Sequence, residues 1–127
     1  MSHALQFYID GQWVDPIVPA TIDVIDPSSE EPFTKIAVGS AADVDRAVAA
    51  AKAAFPVFSR TTKAERVALL RRIVEVYKTR LDDIAAAVSQ EMGAPIEMAT
   101  NAQAAIGWRH IAKMADTLEA YEFSELR

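Results

Sequence analysis

Between Ser40 and Pro95 the chain carries the start signals of three helices and one stop signal, and this punctuation constrains the fold most. The clearest start is Thr62-Lys63-Ala64-Glu65. A threonine oxygen and a glutamate three residues later can each satisfy a backbone N–H that a helix leaves unpaired at its first turn. Behind it Val67, Leu70, Ile73, Val74, Tyr77 and Leu81 recur at helical period, predicting a buried stripe. Arg66, Arg71, Arg72, Glu75 and Lys78 are left for the wet side, so the arginines read as a solvated face rather than a basic binding patch.

The neighbouring helices follow from the same logic. Ser40 and Asp43 have capping-box spacing, although aspartate is a weaker third member than glutamate. Val44, Ala47, Val48, Ala51, Phe55 and Phe58 then share one face, with Asp43, Asp45, Arg46 and Lys52 mostly off it. Pro56 should end or kink this helix near Phe55. A third helix is expected over about Asp82–Met92, with Ile84, Ala85, Val88 and Met92 inward and Asp82 and Asp83 favouring the dipole at its start. Gly93 suits the left-handed position past the helix end, and Pro95 suits a new first turn. A fourth helix is expected over about Ile96–Tyr121. Ala104, Trp108, Ile111, Ala115 and Leu118 make one apolar face, and Ala99, Ala102 and Ile106 make a second. Gly107 interrupts it at about 1 kcal/mol against alanine. Two apolar faces on one helix imply neighbours on two sides. The tail Glu122–Arg127 shows neither cap nor turn and is expected to continue into further sequence.

Ahead of the helices the period changes to two. Gln6–Val14 reads as a hairpin around Asp10-Gly11, the pair that a tight turn with positive φ prefers. Asp15-Pro16 and Pro19 break the ladder. Thr21–Ile25 and Phe33–Val38 are two short strands, separated by the turn-forming run Asp26–Pro32. These pieces are expected to form one small sheet, which must rest on something else to be stable.

Composition excludes several function classes. With 127 residues, 51% of them hydrophobic, one packed domain is feasible. A net charge of −5 argues against nucleic acid, whose phosphates need a basic face, and against an anionic membrane surface. No apolar run is long enough to span a bilayer, and no signal peptide is visible, so the expected location is the cytoplasm. The chain has no cysteine, hence no disulfide, thiolate metal site or cysteine nucleophile. His3 and His110 lack a second ligand at metal spacing. No serine sits in a nucleophile elbow, and the four glycines are too scattered to cradle a phosphate.

The chain nevertheless resembles the start of the aldehyde dehydrogenases over nearly its whole length. Tyr8-Ile9-Asp10-Gly11-Gln12-Trp13-Val14 is similar to that family's first hairpin. Ile25-Asp26-Pro27 resembles its Asn-Pro turn. Asp43–Val48 followed by alanines and Phe55 resembles its first helix. Glu65-Arg66 with Leu69–Ile73 resembles its second, and Glu91-Met92-Gly93-Ala94-Pro95 its Glu-x-Gly-Lys-Pro junction. Five matches in order and at similar spacing carry the resemblance together. The departures are Asp26 for asparagine, Glu30 for a turn glycine, Phe58 for tryptophan and Ala94 for lysine; they touch packing and turns, not chemistry.

The resemblance implies an α+β fragment: a hairpin and short strands over 1–39, then a helical segment of about four amphipathic helices over 40–127. Together these would be one incomplete domain, the part of a nucleotide-binding domain before its Rossmann core. It implies an enzyme that oxidises an aldehyde to a carboxylic acid with NAD or NADP. In the family a cysteine thiolate attacks the carbonyl, an asparagine and a backbone N–H hold the oxyanion, hydride passes to the nicotinamide, and a glutamate activates water. Those residues are expected beyond Arg127, so no catalytic or cofactor-binding residue is assigned here, and the isolated chain is expected to be inactive. The resemblance also implies a half-site for a monovalent cation, from the backbone carbonyls of Val24 and Ile25 and the carboxylate of Glu91, since hard oxygens suit such an ion. Glu91 reads equally as a surface residue near a helix end. Exposed apolar helix faces imply a homo-oligomer. A free-standing helical module that binds a partner through such a face is the alternative.

Overall fold

A computed structural model describes residues 3–124; residues 125–127, the end of the tail discussed above, lie outside the described residues. The chain packs as two units, one up to Arg60 and one from Thr61 onward, and each is described by itself.

In the first unit β1 (Phe7–Ile9) and β2 (Gln12–Val14) form the expected hairpin. Asp10 (φ 53°) and Gly11 (φ 76°) both take the left-handed region, as a two-residue turn matched to strand twist requires. The Trp13 ring, opposite Tyr8, stacks on His3 with centroids 4.1 Å apart. A second antiparallel ribbon joins β3 (Thr21–Asp26) to β4 (Glu31–Ala37). The expected single sheet is therefore two separate two-stranded ribbons. Backbone N–H groups of Ala37 and Val38 reach the carbonyls of Ala4 and Ala20 beyond the ribbon itself.

Strand β4 starts earlier than its turn composition suggested, because Pro32 is accommodated at a bulge. Val24 pairs with Thr34 but Ile25 pairs with Pro32, leaving Phe33 as the extra residue. The turn between the strands explains one departure from the family pattern. Glu30 has φ 59°, a region glycine enters without steric cost, and glutamate holds it here while its N–H donates to the Asp26 carbonyl at 2.8 Å.

Helix α1 (Ala41–Phe58) starts at Ser40 with both halves of the capping box formed. Asp43, the capping-box partner that lies off the apolar face, is buried. The helix runs through Pro56 and stops two residues later. Proline removes one hydrogen bond from the last turn, and the Ser59 N–H still closes back on the Phe55 carbonyl at 2.8 Å. The apolar stripe of α1 lies open, with Val44, Val48, Phe55 and Phe58 all exposed.

The second unit is built on the antiparallel pair α2 (Lys63–Thr79) and α5 (Ala105–Ala120). Its buried residues include Val67 and Val74 from α2 and Ala105 and Ala115 from α5. Leu70, Tyr77 and Leu81 are half-buried as the period predicted, whereas Ile73 is exposed. Around this seam Arg71 bridges to Asp116 and Glu119, and Lys63 donates to the Glu119 and Tyr121 carbonyls, each at 3.1 Å. Lys63 thus caps the negative end of α5. Lys78 lies over the Trp108 ring, 4.3 Å from its centroid.

Helix α3 (Leu81–Met92) ends on Gly93, whose φ of 67° is the left-handed stop that the sequence indicated. Ala85 packs with Ala99 and Ala104, flanked by Leu81, Ile84, Val88 and Ala94. Met92 points outward, not inward as expected. The fourth predicted helix is helical throughout but not uniform. A short α4 (Ile96–Met98) passes into a π-helical turn (Ala99–Ala104) and then into α5. The wider turn splits the expected second apolar strip: Ala99 is buried against α3, while Ala102 and Ile106 are exposed.

Gly107 does not interrupt α5; it admits Tyr77. A Cβ at this position would overlap the Tyr77 hydroxyl and lie 2.7 Å from its ring carbon Cζ. That hydroxyl donates to the Ala104 carbonyl at 3.0 Å, at the end of the π turn. Gly107→Ala should therefore destabilise the chain by about 1–3 kcal/mol through overpacking, outweighing the ~1 kcal/mol that alanine gains in helix propensity. Urea unfolding followed by circular dichroism measures this; a raised midpoint would contradict the close approach.

Candidate functional site

Val24 and Ile25 sit side by side on β3, at the point where its register with β4 shifts. Val24 is half-buried and Ile25 exposed. The residue opposite Ile25 is Pro32, which has no N–H to donate to a neighbouring strand. Backbone carbonyl oxygens are hard donors, the kind that suits a monovalent cation. Glu91 belongs to the second unit, exposed in the last turn of α3, two residues before the left-handed Gly93. Among the described residues no three His, Cys, Asp or Glu side chains gather as a metal cluster.

The carboxylates that are electrostatically perturbed each close a helix cap or a turn. Asp43 accepts from the Ser40 hydroxyl at 2.6 Å, the Ser40 N–H at 2.8 Å and the Ile17 N–H at 2.9 Å. The Ser40 side-chain bond first, then the Ile17 and Ser40 N–H bonds, hold its carboxyl below the usual range. The spacing Ser40–Asp43 announced the cap, but the grip on Ile17, 26 residues earlier, had no sequence signal. Asp26 is lowered by the Ser28 hydroxyl and N–H, which close the β3–β4 turn. Glu65 is lowered by the Thr62 N–H and hydroxyl, as the capping box predicts. Arg71 is raised, chiefly by its hydrogen bond to Glu119, and it stays on the exposed face that the sequence indicated.

None of these groups is placed for acid–base or nucleophilic work. His3 is held against Trp13 and Gln6, and His110 is exposed on α5. Asp82 and Asp83 occupy the first turn of α3, where Asp83 pairs with Arg80 at 2.7 Å. The glycines build no phosphate cradle. The arrangement can cap, brace and present surface. In the second unit a groove of about 380 Å³ opens between α2 and α3, floored by Leu69, Ile73, Val76 and Ile84 and edged by Arg72 and Arg80. No helix is long and apolar enough to cross a membrane among the described residues.

The model of the aldehyde dehydrogenase family matches residues 13–126. An aldehyde dehydrogenase from Bartonella henselae is 44% identical and superposes with a TM-score of 0.91 over 94% of this chain and 25% of that one. A mutant of aldehyde dehydrogenase C (AldC) from Pseudomonas syringae, in complex with NAD+ and octanal, is 42% identical. It superposes with a TM-score of 0.95 over 98% of this chain and 26% of that one. A curated relative from Staphylococcus aureus (strain bovine RF122 / ET3-1) is 43% identical over 120 residues. The chain spans about a quarter of the length of the relatives it matches.

The depressed Asp43 carboxyl gives a pH signature. A folded pKa below the unfolded value means that its stabilisation is fully present above the ordinary carboxylate value of about 3.9 and is lost as pH falls through the folded one. Asp43→Asn should lower the melting temperature at pH 7 and flatten the acid limb. Melting curves from pH 7 to pH 2 decide this; parallel limbs for wild type and Asp43→Asn would contradict it.

Proposed function

The chain belongs to the aldehyde dehydrogenase family, and from that premise we propose that it is the N-terminal structural segment of an enzyme that oxidises an aldehyde to a carboxylic acid with NAD or NADP. The observation that carries this reading is the superposition of 98% of the chain on a quarter of an NAD+- and octanal-bound relative. In this proposal residues 1–39 and 40–127 are parts of one incomplete domain. Their work is mechanical: α2, α3 and α5 brace a nucleotide-binding domain and contribute no reacting group. The dinucleotide supplies the hydride acceptor when bound, and the dispersed glycines of this chain do not fit it as a cradle. The covalent thiolate step has no donor here, because the sequence lacks cysteine. The location proposed is the cytoplasm.

The proposed contribution of the Val24 and Ile25 carbonyls, and of the Glu91 carboxylate, to holding a monovalent cation rests on the family resemblance, since Val24 and Ile25 belong to the first unit and Glu91 to the second. Exposure of Val44, Val48, Phe55 and Phe58 along α1 supports a further role in self-association, since contiguous apolar surface of this kind seeks cover.

The full-length enzyme should reduce NAD+ or NADP+ with at least one member of an aldehyde panel, while this chain alone gives no turnover with any of them. Light scattering of the isolated chain should show mass rising with concentration. Turnover by the isolated chain would sink the structural-segment reading, and a constant monomer mass would remove the self-association.

A further inference from the structure

We propose that the π-helical turn between α4 and α5 is a two-position register latch. The hydroxyls of Tyr77 and Thr100 hold it open, and without them it closes to an α-helix. One hydroxyl braces each end. Thr100 Oγ1 donates to the Ile96 carbonyl at 2.8 Å, the acceptor four residues back that its own N–H would take in an α-helix. Tyr77 reaches in from α2, through the gap at Gly107, and its hydroxyl donates to the Ala104 carbonyl at 3.0 Å.

The open register carries a cost that the closed one lacks. Gln103 is half-buried within the turn, and its Oε1 is sealed from solvent with no hydrogen-bond donor among the described residues. A buried acceptor without a donor keeps the whole of its desolvation penalty. Closing the turn would rotate the stretch by about one residue position, roughly 100° around the helix axis. Gln103 would then leave its sealed place, and Ala99 would give up its packing against Ala85. That step takes only a methyl group out of the interior, a small loss of apolar burial. The Gly93–Pro95 junction just ahead of α4, with its left-handed glycine, is where the backbone absorbs the rotation. Two arrangements of one packed element that differ by so few contacts make a switch.

Scalar couplings through hydrogen bonds, read by NMR on the isotope-labelled chain, report which carbonyl each N–H uses. The unaltered chain should show five-residue spacing across the π turn. Tyr77→Phe combined with Thr100→Val keeps ring and branching but loses both hydroxyls, and should move the same amides to four-residue spacing. Thr100→Ser, which retains a hydroxyl, should leave the five-residue spacing in place. Five-residue spacing that survives the loss of both hydroxyls would overturn the latch, since packing alone would then set the register. Gln103→Leu gives a second readout by urea unfolding. It should raise the midpoint by roughly 0.5 M in the unaltered chain, where it removes the stranded acceptor, and leave it unchanged when both hydroxyls are absent. A lowered midpoint in the unaltered chain would show that the oxygen has a donor. That result, or an equal rise in both backgrounds, would also overturn the proposal.

Discussion

The contact on which the second unit depends is the close approach of Tyr77 to the backbone of α5. A ring can reach that backbone only where no side chain stands, and Gly107 provides the gap. The hydroxyl then finds an acceptor at Ala104, at the end of a π turn whose wider ladder differs from that of an α-helix. With the two backbones brought this near, small residues suffice between them, and the buried positions of α5 are accordingly alanines, Ala105 and Ala115. The Arg71 pairs and the Lys63 cap sit at the margin of this seam. Exposed ion pairs contribute little to stability, so they fix the direction and register of the helices more than they hold them together.

Much of this was legible in the sequence, and the reason lies in local chemistry. Caps and turns depend on residues three or four apart. Thr62 with Glu65, Ser40 with Asp43, Asp10 with Gly11, and Gly93 all took the conformations that their spacing indicated. The inward face of α5 was legible too, because Trp108, Ile111, Ala115 and Leu118 keep one period. The errors came where a distant partner decides. Gly107 looked like a weak point because Tyr77, thirty residues earlier, is invisible to a local reading. The bond from Ile17 to Asp43 was illegible because Ile17 is equally remote. The second apolar strip of the fourth helix failed at the π turn, since one extra residue in a turn rotates everything that follows.

The functional reading divides along the same line. Nothing in the charge, histidine or glycine pattern pointed to an activity; the perturbed Asp43 and Glu65 carboxylates are helix caps, and Lys78 lies over the Trp108 ring. Function enters through ordered resemblance, supported by the family match over residues 13–126. Of the candidate cation ligands, Val24 and Ile25 occur at a break in strand register that no periodicity reveals. The break arises because Pro32 cannot serve a regular ladder. Glu30 is the clearest case of a sequence departure acquiring physical meaning. Its left-handed backbone is the reason a glycine suits that turn.

The interior has a thermodynamic corollary. Among the described residues the buried apolar ones are two valines and five alanines, and no large side chain is fully enclosed. Methyl groups remove little hydrocarbon from water, so opening such an interior exposes little new surface. The heat-capacity increment of unfolding and the steepness of a denaturant transition both scale with that exposure, and both should be small for a polypeptide of this length. Such a chain would melt over a broad interval and lose its tertiary order gradually.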